Sequence, residues 1–183
     1  MAKIIVLEFI TLDGIIEAPE TWQFPYFDPE MAQANVEQLQ QVDAQLLGRV
    51  TYEIFADAWP QRTDNEFGIA DKFNSMPKFV VSSTLKQAEW NNTTILSENG
   101  TDAVRRLKQE FEGTISVIGS AKLVQSMMQT DLIDEYRLQV HPVVLGKGKR
   151  LFDGQVDKID LRLVDTQVYS SGVILLVYHP DST

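Results

Sequence analysis

The chain has 183 residues, no cysteine and a formal charge of −10, from 16 Lys and Arg against 26 Asp and Glu. The missing cysteines exclude disulfides, thiolate zinc sites and cysteine nucleophiles together. The acidic balance argues against nucleic acid and anionic membranes as partners, because both repel a negative surface.

The length suits a single domain spanning 1–183. Hydrophobic residues make up 44%, enough for a sizeable core. The apolar start, Met1 to Ile10, is interrupted by Glu8 and followed by no small-residue cleavage site, so it does not read as a signal peptide. No stretch approaches the ~18 apolar residues that a membrane span needs. The expected location is the cytoplasm, which makes the N-x-Thr triplets at Asn91, Asn92 and Asn99 chance matches.

Lys3–Ile10 is β-branched and apolar, the pattern of a buried strand. Thr11 to Phe27 holds Gly14, Pro19 and Pro25 and reads as a long loop, rich in aromatics at Trp22, Phe24, Tyr26 and Phe27. Asp28-Pro29 supplies an N-cap and a first-turn proline. The helix from there to about Gln41 places Val36 and Leu39 on one face. Ala44–Leu47 is a short strand, and after Gly48-Arg49-Val50-Thr51 a helical stretch turns Tyr52, Phe55 and Ala56 inward. Gln61–Ser75 is polar and reads as loop.

Lys78–Val81 is a strand that ends in Ser82-Ser83-Thr84, and Thr94–Leu96 is a short one. Thr101 or Asp102 caps a helix carrying Val104, Leu107 and Phe111. Thr114–Ile118 is a strand, and Gly119-Ser120 opens a helix with Leu123, Val124, Met127 and Met128. The last third reads as strands at Glu135–Val140, Asp160–Tyr169 and Val173–Tyr178, the last two joined at Ser170-Ser171-Gly172. Alternating strands and helices followed by strands predict an α/β fold: a mixed, mostly parallel sheet flanked by helices, with a C-terminal antiparallel hairpin.

Three predicted strand ends carry small polar or glycine residues leading toward helices: Gly48-Arg49-Val50-Thr51, Ser82-Ser83-Thr84 and Gly119-Ser120. In open α/β sheets ligands sit outside the carboxyl ends of the strands. Small residues let the backbone approach a phosphate, and N–H groups at a helix start bind it. Arg49 adds a planar cationic fork. Three such positions suggest a ligand with several phosphates, such as a dinucleotide; each alone also reads as a turn or cap. The common nucleotide motifs are missing. Gly146-Lys147-Gly148 lacks the third glycine of G-x-G-x-x-G, and there is no P-loop.

Several blocks resemble a known family. They are Thr11-Leu12-Asp13-Gly14, Leu47-Gly48-Arg49-Val50-Thr51-Tyr52-Glu53, Val80-Val81-Ser82-Ser83-Thr84-Leu85 and Val117-Ile118-Gly119-Ser120. Leu132-Ile133-Asp134-Glu135, Pro142 to Gly146, and Arg150-Leu151-Phe152 continue the series. The chain resembles the dihydrofolate reductase-like superfamily. It is more closely similar to stand-alone relatives of the reductase half of the bifunctional riboflavin-biosynthesis deaminase/reductase. The resemblance implies a three-layer fold that binds NADPH. Gly48, Arg49 and Thr51 would line the cofactor phosphates, and Ser82 and Ser83 the 2′-phosphate. Gly119 and Ser120 would hold the pyrophosphate, with Ala121 and Leu123 nearby.

On the substrate side, the resemblance places Asp13 in the active site, orienting substrate or relaying a proton. Asp13-Gly14 equally reads as a turn. Glu17 is a second candidate. Trp22 and its aromatic neighbours would wall a flat heterocycle or anchor the loop. Lys147 and Arg150 would meet a phosphoribosyl tail, or form a solvated turn together with Lys149. His141 and His179 read as structural, and no metal site is expected. Asp28, Glu30 and Glu37 do not match the spacing of the acid that dihydrofolate reductases carry on their first helix.

The expected function is NADPH-dependent reduction of a flat nitrogen heterocycle by direct hydride transfer. The formal substrate is 5-amino-6-(5-phosphoribosylamino)uracil. Dihydrofolate or pterin reduction and a non-catalytic nucleotide-binding paralogue are the alternatives. A homodimer is expected from the apolar C-terminal strands.

Overall fold

The computed structural model describes residues 1–97, 99–154 and 157–181. Among them, eight strands form one sheet in the order β4-β3-β2-β5-β1-β6-β8-β7. The strands are β1 (Lys3–Thr11), β2 (Ala44–Gly48), β3 (Lys78–Val81), β4 (Thr93–Leu96), β5 (Thr114–Ile118), β6 (Glu135–His141), β7 (Leu161–Val168) and β8 (Ile174–Pro180). β1 through β6 run parallel, and β8 pairs antiparallel with both β6 and β7. The predicted hairpin therefore forms, with β8 as its inner strand and Gly172 at φ +85° in its turn.

Helices cover both faces, giving three layers. The helices are α1 (Pro29–Gln40), α2 (Arg49–Ala58), α3 (Ile69–Ser75), α4 (Gly100–Glu110) and α5 (Ala121–Met128). Strand alternation divides the core between the two sides. Ile4, Val6 and Ile10 of β1 pack with Val104 and Leu107 of α4 and with Leu123, Val124 and Met127 of α5. Ile5 points the other way, toward Leu39 of α1, Tyr52 of α2 and Phe73 of α3. α1 begins as its sequence predicts: the Asp28 carboxylate accepts the Met31 N–H at 2.8 Å, with Pro29 in the first turn. Such a cap is worth ~1 kcal/mol. No helix among the described residues is long and apolar enough to cross a membrane.

Two predicted boundaries change. The segment Gln61–Ser75 is not all loop, because a 3-10 turn at Glu66–Gly68 leads into α3. Polar composition hides this helix, which is anchored by only two buried side chains, Ala70 and Phe73. Phe73 stacks on Trp59 with ring centroids 4.1 Å apart. Buried Lys78 closes the helix end: its ammonium donates to the carbonyls of Asn74, Met76 and Asn91. Desolvation lowers its pKa to about 8. α4, in turn, starts two to three residues earlier than expected, with Asn99 as its N-cap in place of Thr101 or Asp102.

Candidate functional site

The carboxyl ends of β2 and β5 meet above the sheet. The Gly48 N–H donates to Ser120 Oγ at 3.0 Å, and that hydroxyl lies 3.1 Å from Thr51 Oγ1. Gly119 adopts φ +69°, a left-handed conformation that glycine reaches without strain. A methyl group at Gly119 would sit 3.4 Å from Thr51 Cγ2. Gly48, Thr51, Gly119 and Ser120 are thus brought together. The Ser120 hydroxyl is used inside this cluster, so the anion donors left at this point are backbone N–H groups in the first turn of α5. Ala121 and Leu123 are buried behind that turn.

A groove of about 530 Å³ opens beside this cluster, lined by Arg49, Ser82, Ser83, Thr84, Ser97 and Asn99, with Val81 and Gly100. Ser82 is buried, and its Oγ accepts the N–H groups of Thr84 and Leu85 at 3.2 and 3.0 Å. It shapes the turn, while Ser83 and Thr84 face solvent. Ser97, Asn99 and Gly100 were missed by sequence reasoning. Asn99 makes no side-chain cap bond, and its amide donates to Asp102 at 2.8 Å. The leading N–H groups of α4 are therefore not capped by it. Arg49 is half-exposed and pairs with Glu53 four residues on, at 2.8 Å.

Asp13 has different work. Its carboxylate accepts the Thr11 hydroxyl at 2.6 Å and the N–H groups of Leu145 and Gly146 at 3.2 and 2.8 Å. Arg150 donates through Nε to the Asp13 carbonyl at 2.9 Å. The Thr11 bond is the largest cause of its lowered pKa; partial burial opposes it, the two backbone donors reinforce it, and the result is about 2. Such a carboxylate is ionised at neutral pH, and its bonds tie the loop after β1 to the one after β6. Glu17 likewise accepts the Lys149 N–H at 3.2 Å and pairs with its ammonium at 3.4 Å. Two acids on the loop after β1 thereby strap the basic loop after β6. Replacing Asp13 with alanine should loosen that strap. Trypsin is then expected to cut faster at Lys147, Lys149 or Arg150 than in wild type, and an unchanged digestion rate would contradict this role.

Trp22 is buried, with its indole N–H donating to the Glu17 carbonyl at 2.9 Å. Its ring meets His141 edge-on at 5.1 Å, as do those of Phe9 and Tyr26 at 5.7 and 6.0 Å. His141 is fully buried, and burial lowers its pKa. Trp22 thus anchors the loop to the sheet. Lys147 stays exposed, whereas Arg150 is engaged with Asp13. Among the described residues no three His, Asp or Glu side chains gather as metal ligands.

One buried acid escaped sequence reasoning. Glu8 lies near the end of β1, 5% exposed, and its Oε1 accepts the Gly119 N–H at 2.8 Å. Burial pushes its pKa well above the ordinary carboxylate value, against the smaller opposing effect of that bond. The available signal was an acidic residue inside a strand of apolar ones.

The sheet order, the helices on both faces and the groove over the strand ends define the dihydrofolate reductase-like class. Dihydrofolate reductase from Enterococcus faecalis complexed with NADP(H) shares the fold, with a TM-score of 0.64 at 15% identity over 98% of this chain and 97% of that one. A putative riboflavin biosynthesis protein from Shewanella sp. PV-4 superposes with a TM-score of 0.77 at 20% identity, covering 98% and 99%. Within that class the chain belongs to the RibD C-terminal domain family, whose family model matches residues 2–175. Uncharacterized protein YyaP of Bacillus subtilis (strain 168) is 33% identical over 180 residues, 97% of this chain and 94% of that protein.

Proposed function

We propose that this protein is an NADPH-dependent reductase of a flat nitrogen heterocycle, formally 5-amino-6-(5-phosphoribosylamino)uracil reductase-like. The observation that carries the reading is the groove joining Arg49 to Ser83, Thr84 and the start of α4. An arginine fork, two exposed hydroxyls and uncapped helix N–H groups suit a nucleotide phosphate. The family membership and the NADP(H) complex of the Enterococcus faecalis reductase support it. NADPH, when bound, supplies the hydride. Arg49, Ser83 and Thr84 would hold its 2′-phosphate, with Ser82 shaping their turn. Gly48, Thr51, Gly119 and Ser120 would form the cradle for its pyrophosphate, backed by Ala121 and Leu123. Asp13 and Glu17 would position the loops around the substrate, and Trp22 would fix the wall behind it.

Pterin reduction is the weaker enzyme reading. The acids of α1 are engaged elsewhere: Glu30 accepts from Gln167 at 3.0 Å and Glu37 from Gln33 at 2.8 Å. The side chains that α1 buries are Met31 and Leu39. A specific observation favours the non-catalytic alternative as the second reading. Lys149 and Arg150 are paired with Glu17 and Asp13, so a phosphoribosyl tail would have to displace those acids and would otherwise find only Lys147.

The test is a titration with NADPH and NADH followed by tryptophan fluorescence, then NADPH oxidation with aminouracil, pterin and folate substrates. Binding with turnover of one of them supports the reductase. Binding without turnover supports the nucleotide-binding paralogue, and binding of neither nucleotide overturns both. The homodimer reading rests on β7, an edge strand that exposes Leu163, Val164 and Val168. Light scattering at micromolar concentration is expected to give twice the 20.7 kDa chain mass; a monomer mass overturns it.

A further inference from the structure

We infer that Glu8 is a positioning residue for nucleotide binding: its carboxyl holds the Gly119 peptide in the orientation that presents the first turn of α5 to the cofactor's pyrophosphate. The inference rests on the reductase reading above. Glu8 sits on the β1 face that α5 covers, between Val6 and Ile10, and its register partner on β6 is Leu138. These neighbours are apolar. Among the described residues no Lys, Arg or His forms an ion pair with it. A valine or isoleucine would fill such a place without desolvating a carboxyl. What the acid gains there is one hydrogen bond, from the Gly119 N–H at 2.8 Å.

That bond matters because Gly119 is the hinge between β5 and α5. Its backbone is left-handed, at φ +69°, and its peptide links β5 to the Ser120 hydroxyl that receives Gly48. A peptide free to rotate there would swing the helix start away from the anion. Held by Glu8, the peptide is fixed before the cofactor arrives, which lowers the ordering cost of binding. Burial pushes its pKa up and so disfavours a negative charge facing the phosphates. The chemistry requires an acceptor at this point, not a charge.

The experiment compares Glu8→Gln, which keeps the acceptor, with Glu8→Met, which removes it at similar volume. NADPH affinity is read by fluorescence titration and Tm by thermal unfolding. Glu8→Gln is expected to bind NADPH within about threefold of wild type, and Glu8→Met to bind about tenfold more weakly while its Tm equals or exceeds wild type. Affinity and stability moving in opposite directions is what a merely structural role would not produce. Wild-type affinity in Glu8→Met, or equal weakening in both variants, overturns the inference. Should Glu8→Met fail to fold, amide exchange at Gly119 in the free wild type decides: protection at this exposed glycine supports the bond, and rapid exchange overturns it. Wild-type protein that binds no NADPH removes the reductase reading itself, a failure distinct from these.

Discussion

Replacing Arg49 with alanine is expected to weaken NADPH binding by about ten- to a hundredfold and NADH binding far less. Hydrogen bonds to charged groups contribute ~1.5–3 kcal/mol, and a tenfold change in affinity is ~1.4 kcal/mol. The guanidinium is not idle in the free protein, since it pairs with Glu53 at 2.8 Å. That pair is exposed and spaced i,i+4, a geometry worth only ~0.3–0.5 kcal/mol. A 2′-phosphate is therefore expected to outcompete it. The same comparison gives Glu53→Gln tighter NADPH binding than wild type, by about twofold. NADH lacks the phosphate, so the difference between the two cofactors isolates what Arg49 recognises. Equal losses for both would move Arg49 from the 2′-phosphate to the pyrophosphate, and no loss would take it out of the site.

The second large effect lies at the other end of the sheet. Glu135 is buried, 4% exposed, where β6 meets β1 and β8. It accepts from Lys3 Nζ at 2.7 Å, His179 Nε2 at 2.9 Å and Arg137 Nε at 2.5 Å. Burial alone would raise its pKa, but the bonds from Lys3, His179 and Arg137 together bring it down to about 2. Glu135→Ala leaves Arg137 half-buried without its partner, and is expected to cost ~3 kcal/mol. At this chain length that corresponds to a drop in Tm of roughly 10 °C. The pH dependence follows from the sign of the shift. The folded-state value lies below the unfolded one, so the stabilisation is complete above about pH 4.5 and is lost as pH falls toward 2. Glu135→Gln should therefore show a shallower acid limb than wild type in urea midpoints measured between pH 6 and 3. Parallel limbs would assign acid unfolding to other carboxylates.

What the sequence could and could not reveal follows from the range of the contacts involved. β1, β2, β3 and β5 were legible because buried parallel strands are runs of β-branched and apolar residues. The turns after β2 and β5 were legible from Gly48 and Gly119. α3 was not, because two buried side chains in a polar stretch leave too little periodicity to register. Asp13 stood open between turn and active site. Its partners, Leu145, Gly146 and Arg150, lie more than 130 positions away, and only the fold brings them to it. Glu8 was visible only as a break in an apolar run. Its meaning depends on Gly119, 111 positions downstream. Trp22 could have lined a pocket or anchored a loop, and the depth at which its ring meets His141 favours the anchor.

The strand order also bears on how the protein comes into being. β1 is made before either of its neighbours, β5 and β6, so Lys3 waits for Thr114 and Ile5 for Glu135. The half-sheet of β2, β3 and β4 can pair while β1 still lacks a partner. Closure by such distant contacts is slow compared with helix or hairpin formation. β1 is therefore an unpaired apolar ribbon until β5 and β6 are made, and the contact between Gly48 and Ser120 forms only when β5 takes its place between β2 and β1. A chain released before β5 is made would leave β1 an adhesive strand in need of a chaperone.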